Sequence, residues 1–420
     1  MTILGSFTPS DTAADVRETL TARIRTSRLD RLIASATRAS KSNPRTAGLY
    51  AGSVTITDNS NVIPSQVSQV VTYPVSDANR GVWHVVGGKM IRPGLNNVVT
   101  ALQDGSGTGY NYSYSRFEAM VHARYLCVRV ATSTTVPYRF LIDGQYVSLT
   151  GTVTVTPGAG STNYLLLDFG TRAIRRVAIE GQGTAAALYT GYVEATGKMW
   201  AVDLSDAIHG VILGDSYVAG SNAIAKGDGA FVQMADRLGV YIHASGVGGT
   251  GWNHTTQPPY TFNQRIAAGD LALSYYTPDI IFLMGSYNDR NADKTVLQAN
   301  ATAGIQAARA QYPSVPIVVF GAAPGNTGPS QIILDAENAV AAAVTAVADP
   351  LIGFVPFSTD PLGAWITGAG RVGSTGNNGN SDYLTDTDGI HPVDPEGVGF
   401  LGQRYAVGAA SALKAMRTSV

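Results

Sequence analysis

Val211-Ile212-Leu213-Gly214-Asp215-Ser216-Tyr217 decides how the second half of this chain is read. Three apolar residues in a row fit a short strand buried on both faces. The glycine after them lets the backbone turn sharply and come close to a ligand. An acid and a serine follow, and the polar loop behind them leads to a helix-like stretch over 230–238. Ser216 is therefore expected at the carboxyl end of a strand, where open α/β sheets gather their chemistry.

Further along, the chain supplies what a serine nucleophile needs. Asp386-Thr387-Asp388-Gly389-Ile390-His391-Pro392 places Asp388 and His391 three residues apart, with a proline next, in a loop or helix entrance. There the carboxylate can hold one imidazole nitrogen while the other faces the serine, so that Ser attacks, His carries the proton and Asp fixes the tautomer. Alone, such a pair reads as a turn histidine bonded to a nearby acid. Two more segments offer donors for an oxyanion. Ser245-Gly246-Val247-Gly248-Gly249-Thr250-Gly251 follows the strand-like Val240–His243, and its glycines leave backbone N–H groups accessible. Pro278–Met284 reads as a buried parallel strand, and the Gly285-Ser286-Tyr287-Asn288-Asp289 after it ends near an amide that can donate. Taken singly, the first is a turn and the second a helix cap.

In this order the four segments resemble the signature blocks of the SGNH/GDSL hydrolase family, flavodoxin-like esterases and lipases with a Ser, a Gly, an Asn and a His in separate loops. The resemblance implies that Ser216 is the nucleophile and that Asp388 and His391 complete the triad. It implies an oxyanion hole made by the N–H of Ser216, the N–H of Gly249 and the side chain of Asn288, with Gly248 as the alternative to Gly249. One departure stands out: the third block usually reads Gly-x-Asn-Asp, and here Ser286 takes the glycine's place. The resemblance spans Ile208 to Leu413, about half of the chain.

Ahead of it the rhythm differs. From about Asp11 to Ser40 the pattern is helical, with Val16, Leu20 and Ile24 at helical spacing before Leu29, Leu32 and Ile33. Such a helix either packs on its own domain or joins copies of the chain. Between about Thr46 and Leu204 the period becomes two, in stretches such as Ser53–Thr57, Ser68–Tyr73, Phe117–Arg124, Thr152–Thr156, Leu165–Phe169 and Arg175–Glu180. Tyr138–Val147 reads as a hairpin about Asp143-Gly144. After about Asp206 strands and helices alternate, the helices including Thr295–Ala310, Ile332–Val347 and a last one from about Gly397 to Arg417. The expected fold class is α/β. A helical assembly or linker segment (1–45) precedes a β-sandwich, jelly-roll-like module (46–205) and a flavodoxin-like three-layer SGNH hydrolase domain (206–420). The loop Gly368–Asn380 is expected to shape one rim of the pocket.

Composition narrows the function. The 420 residues are 45% hydrophobic and 14% charged, which argues against disorder, and a net charge of −1 gives no case for nucleic acid or an anionic membrane. No apolar stretch approaches the ~20 residues that span a bilayer, and Met1–Gly5 lacks the pattern of a secretory signal. The single cysteine, Cys127, excludes an intrachain disulfide and reads as a buried thiol. The histidines show no metal spacing, His243 and His254 read as pocket or surface residues, and no cofactor or metal is expected. The expected activity is a serine esterase, an O-deacetylase acting on an acylated carbohydrate or other small polar ester. The other reading is a phage-tail receptor-binding or structural virion protein in which the hydrolase fold assists attachment. It rests on the missing signal and on Ser27–Leu32, which resembles tail-protein linker helices; it would place the chain in a virion or outside the cell, as a homotrimer by analogy with tail proteins or attached to a larger assembly.

Overall fold

Five parallel strands organise the second half of the chain in the computed structural model: His209–Gly214, Tyr241–Gly246, Ile280–Gly285, Ile317–Ala322 and Ile352–Val355. In the sheet the second strand lies outside the first, and the third, fourth and fifth follow on the other side. The chain thus leaves the first strand one way and returns on its far side, so the crevice between the carboxyl ends of the first and third strands is a topological switch point. The structure describes residues 27–37, 48–60, 62–71, 82–86, 89–91, 98–100, 114–132, 135–150, 153–155, 163–182, 186–204, 206–223, 226–255, 260–273 and 276–419.

Alternation along the strands builds two cores, one on each face. Ile212, Phe282, Met284, Val318 and Phe320 pack with helices Ala230–Leu238 and Glu396–Ser419. Val211, Leu213, Ile281, Leu283, Ile317 and Val319 pack with helices Phe262–Ala267, Lys294–Gln311 and Gln331–Val347. Every residue of the strands His209–Gly214, Ile280–Gly285 and Ile317–Ala322 is buried, which explains their unbroken apolar runs. This is the three-layer α/β arrangement expected.

Before it lies an antiparallel, β-rich region whose described strands join in one hydrogen-bonded network. Two long strands, Tyr114–Thr132 and Asn163–Gln182, form its spine, paired from Asn163–Val130 to Gln182–Tyr114. The sequence reads the second as two shorter strands, Leu165–Phe169 and Arg175–Glu180. The interruption is a bulge between Asp168 and Ala173, where Gly170 takes a left-handed φ of 71°, so the chain bends there without reversing. The hairpin at Asp143-Gly144 forms as read, both turn residues at positive φ. Cys127 is buried, and burial pushes its thiol up to about 12, the state of an inert structural cysteine.

The two regions meet through polar contacts. Tyr114 donates to the carbonyl of Ile242 at 3.2 Å, and Arg139 bridges Glu180 at 2.6 Å and Asp228 at 2.5 Å. Of the amino-terminal helical stretch, residues 27–37 are described as helix, and Leu29 and Leu32 insert into the hydrolase core of their own chain. Ser35 donates to the carbonyl of Gly239 at 3.1 Å and Arg28 to that of Ser314 at 2.9 Å. This part therefore packs on its own domain. Val16, Leu20 and Ile24, the residues read as a self-association face, lie outside the described residues.

Candidate active site

Ser216 sits two residues beyond strand His209–Gly214, as the sequence requires. Gly214 must lack a side chain: a Cβ there would come within 2.3 Å of Val218. The loop from 386 to 392 brings His391 to it, so that Nε2 stands 2.7 Å from Ser216 Oγ and Nδ1 stands 2.6 Å from Oδ2 of Asp388. Gly389, at φ 72°, closes this loop by donating to the Asp386 carbonyl at 2.8 Å. The second oxygen of Asp388 accepts the amides of Ile390 and His391 at 2.8 and 3.0 Å. Burial pushes the Asp388 carboxyl up, but its bonds to the His391 ring and to these two amides outweigh that and hold it at about 2.

Asn288 follows strand Ile280–Gly285 and turns its side chain toward the same crevice. Its Nδ2 donates to the Thr250 carbonyl at 2.9 Å and makes a longer contact, 3.3 Å, to Asp215 Oδ2. The glycine loop after strand Tyr241–Gly246 lies beside Ser216: a Cβ on Gly248 would stand 3.7 Å from that of Ser216, and Gly249 adopts a φ of 72°. All five residues singled out from the sequence, together with Gly248, thus lie at the carboxyl end of the parallel sheet, Asn288 in the short 3-10 helix Tyr287–Asn291 and the others on loops.

Several supporting residues were not legible in the sequence. Asp215, fully buried, accepts the Tyr217 amide at 2.9 Å and the Ser286 hydroxyl at 2.9 Å, and burial raises its carboxyl to about 6 against the pull of these bonds. Asp289 accepts the amides of Trp252, Asn253 and His254 at 2.7, 3.0 and 2.9 Å and so fixes the loop behind the glycines. Arg265, buried, donates at 2.7 Å to the carbonyls of both Gly214 and Ser245, tying the first two strand ends together. Asn222, left-handed at φ 64°, donates to Asp388 Oδ2 at 2.8 Å from the loop after the serine. An asparagine in a Gly-Ser-Asn loop signals a turn, and nothing in the sequence ties it to a residue far along the chain. His254 is exposed, whereas His243 is buried and held down to about 3 by burial; it belongs to the core and not to a pocket or surface. Among the described residues no cluster of His, Cys, Asp and Glu has the makings of a metal site.

Residues 212–395 match the family described as GDSL-like Lipase/Acylhydrolase. No curated protein sequence matches the chain. Among solved structures, a family two carbohydrate esterase from Cellvibrio japonicus superposes with a TM-score of 0.61 at 13% identity, over 86% of this chain and 99% of that one. The salicylyl-acyltransferase SsfX3 of a tetracycline biosynthetic pathway gives 0.58 at 15% identity, over 84% of this chain and 97% of its own. Est2A, an acetyl xylan esterase of the rumen bacterium Butyrivibrio proteoclasticus, gives 0.53 at 12%, over 84% and 99%. At such identities the likeness is one of fold, and it includes the β-rich region as well as the parallel sheet. With a region, residues 212–395, that matches the GDSL-like Lipase/Acylhydrolase family, the chain is an ester hydrolase.

Proposed function

We propose that this enzyme removes O-acetyl groups from an acylated carbohydrate, with Ser216 as nucleophile, His391 as proton carrier and Asp388 as its orienting carboxylate. The observation that carries the reading is the continuous line of contacts from Ser216 Oγ through the imidazole to Asp388, 2.7 and 2.6 Å long. In the first half-reaction Ser216 Oγ attacks the ester carbonyl carbon while its proton passes to Nε2 of His391. The carbonyl oxygen takes up the electron pair and is met by the N–H groups of Ser216 and Gly249, with Gly248 the alternative, and by the Asn288 amide. Of the two Asn288 Nδ2 hydrogens, the one on the long 3.3 Å contact to Asp215 is the more weakly held and serves the oxyanion, because the other is given to the Thr250 carbonyl at 2.9 Å. The tetrahedral centre then expels the sugar alkoxide, which takes the proton from Nε2, and the acetyl group stays on Ser216. Water, activated by the same nitrogen, releases acetate and restores the serine.

Carbohydrate is favoured by the fold shared with the Cellvibrio japonicus and Butyrivibrio proteoclasticus enzymes, whose names give carbohydrate and acetyl xylan as what they act on. The polar rim, with the loop 368–380 bound to Asp382 and Ser381 beside the histidine segment, suits a hydroxylated substrate. The test is acetate release from acetylated xylan and other acetylated polysaccharides, with the Ser216→Ala variant as control. Acetate from the native chain alone supports the reading. Acyl transfer to an added alcohol with no net hydrolysis would make the chain a transferase instead.

A further inference from the structure

A cavity of about 320 Å³ opens between the β-rich region and the amino end of the parallel sheet. Its wall joins Arg116, Glu118 and Arg176 of the two long antiparallel strands to Asp236 and Tyr241 of the hydrolase domain. Tyr241 begins the strand Tyr241–Gly246, whose other end leads to the glycine loop beside Ser216. The cavity and the serine are thus set apart by roughly the length of that strand, about 16 Å at the usual rise.

Three groups in this wall keep hydrogen-bonding capacity that the described residues leave unused. Arg116 gives Nε and Nη2 to Glu180 Oε1 at 2.8 and 2.5 Å, while its Nη1 stands 3.9 Å from Glu118 Oε1, beyond hydrogen-bond reach. Glu118 spends Oε2 on Arg176, at 3.1 Å from Nε, and leaves Oε1 with that distant neighbour. Burial pushes the Glu118 carboxyl up, but His84, Arg176 and Arg116 overcome this and hold it at about 2, so it is an ionised acceptor. The Tyr241 hydroxyl accepts from Arg176, and its own hydrogen remains to be donated.

Two guanidinium groups face two carboxylates across the cavity, so the wall is neutral as a whole. Such a wall rewards neither a phosphate nor a cation. A pair of N–H donors, a carboxylate oxygen and a phenol hydrogen set side by side instead match adjacent hydroxyls of a sugar ring, each of which donates one hydrogen and accepts another. Leu141, Ala178 and Val240 supply apolar surface for the C–H face of such a ring. The volume lies at the low end of the ~300–1,000 Å³ of small-molecule sites, room for one or two rings. We propose that this cavity binds a neutral glycosyl unit, at a site separate from the one that holds Ser216. The binding stands on the cavity alone; its service to catalysis, as a hold on a long polysaccharide, rests on the deacetylase reading.

The test is titration of the full chain carrying Ser216→Ala with xylobiose and cellobiose, followed by ligand-observed NMR, with glycerol and a hexuronate as comparison probes. Saccharide binding should weaken about tenfold in Glu118→Gln and again in Tyr241→Phe, each added to Ser216→Ala, while the same two changes in the native background leave turnover of a small chromogenic ester as it was. Glycerol, too short to span the three groups, should bind at least tenfold more weakly than either disaccharide. Preference for the hexuronate, parity with glycerol, or saccharide binding that neither substitution alters would overturn the proposal. Should Glu118→Gln not fold, a crystal soaked in disaccharide decides: a ring between Arg116 and Tyr241 supports the site, and an empty cavity refutes it. Failure of the esterase reading would show separately, as absent turnover with saccharide binding intact.

Discussion

The hydroxyl of Ser286 stands 2.9 Å from Oδ2 of Asp215, the residue immediately before Ser216. The Ser286 hydroxyl oxygen also lies 2.8 Å from the Thr250 carbonyl and accepts the backbone N–H of Asn288 at 3.0 Å. One buried side chain, at the position where the family pattern has glycine, therefore joins the loops that carry the serine, the glycines and the asparagine. The departure from the pattern is a local hydrogen-bond hub.

Ser286→Gly, which restores the usual residue, should accordingly cost this protein. The substitution removes the single hydroxyl hydrogen that Asp215 Oδ2 and the Thr250 carbonyl share, and the acceptor of the Asn288 backbone N–H, a loss of about 1–3 kcal/mol in stability. With Asn288 less firmly held, kcat should fall about tenfold, with a smaller change in KM, a loss confined to the transition state. Chemical denaturation and steady-state kinetics check both; unchanged kcat would mean that Asn288 needs no help from Ser286.

Asn288→Ala removes one oxyanion donor and should lower kcat by ~10²–10³. Unaltered kcat and KM would reduce Asn288 to the residue that bonds Thr250.

His391→Ala should lower kcat by at least ~10²–10⁴, the worth of a general acid–base, and Asp388→Asn by less, because an asparagine can still hold the loop amides of Ile390 and His391. Since Asp388 is held at about 2, it stays ionised through the working range and keeps its hold on the imidazole there. Steady-state kinetics check both variants; His391→Ala with its kcat nearly intact would remove His391 from the base role.

Asp215 gives a stability signature of opposite sign to that of an ordinary paired acid. Burial raises its carboxyl to about 6, and a folded value above the unfolded one, near ~4, favours the native state while the group is protonated. That contribution is whole below about pH 4 and is lost as pH rises through about 6, whereas Asp215→Asn stays neutral throughout. Relative to that variant the native chain should lose up to about 3 kcal/mol between about pH 4 and 7, two pKa steps of about 1.4 kcal/mol each. Urea titrations at both ends measure it. A constant gap would show that Asp215 does not change charge in this window.

How much of this could be read from sequence follows from where each interaction lies along the chain. The strand at Val211–Leu213 and the apolar run Ile280–Met284 announced themselves because both faces of a parallel strand are buried, and their loops then placed Ser216 and Asn288. Asp388 and His391 were legible because three residues and a glycine turn bring them together locally. Arg265 and Ser286 were not, because their partners, Gly214, Ser245, Asp215 and Thr250, lie tens of residues away and meet them only once the sheet is built. In the β-rich region alternation reveals strands, but Leu165–Phe169 and Arg175–Glu180 read as separate because a glycine such as Gly170, left-handed in the structure, serves a bulge as well as a reversal. Leu29 and Leu32 fitted either a partner helix or their own domain equally well from spacing; burial in the hydrolase core settles that for these two residues.

The central claim is that Ser216 carries the acyl group. Native enzyme and His391→Ala, quenched in acid within milliseconds to minutes of mixing with an acetyl ester, should be digested and their peptides weighed. The account predicts a single acetyl group on the peptide that holds Ser216, appearing before steady state in the native chain, absent in Ser216→Ala, and slow to form in His391→Ala. Acetyl on another residue, or full turnover by Ser216→Ala with no acylated peptide, would contradict it.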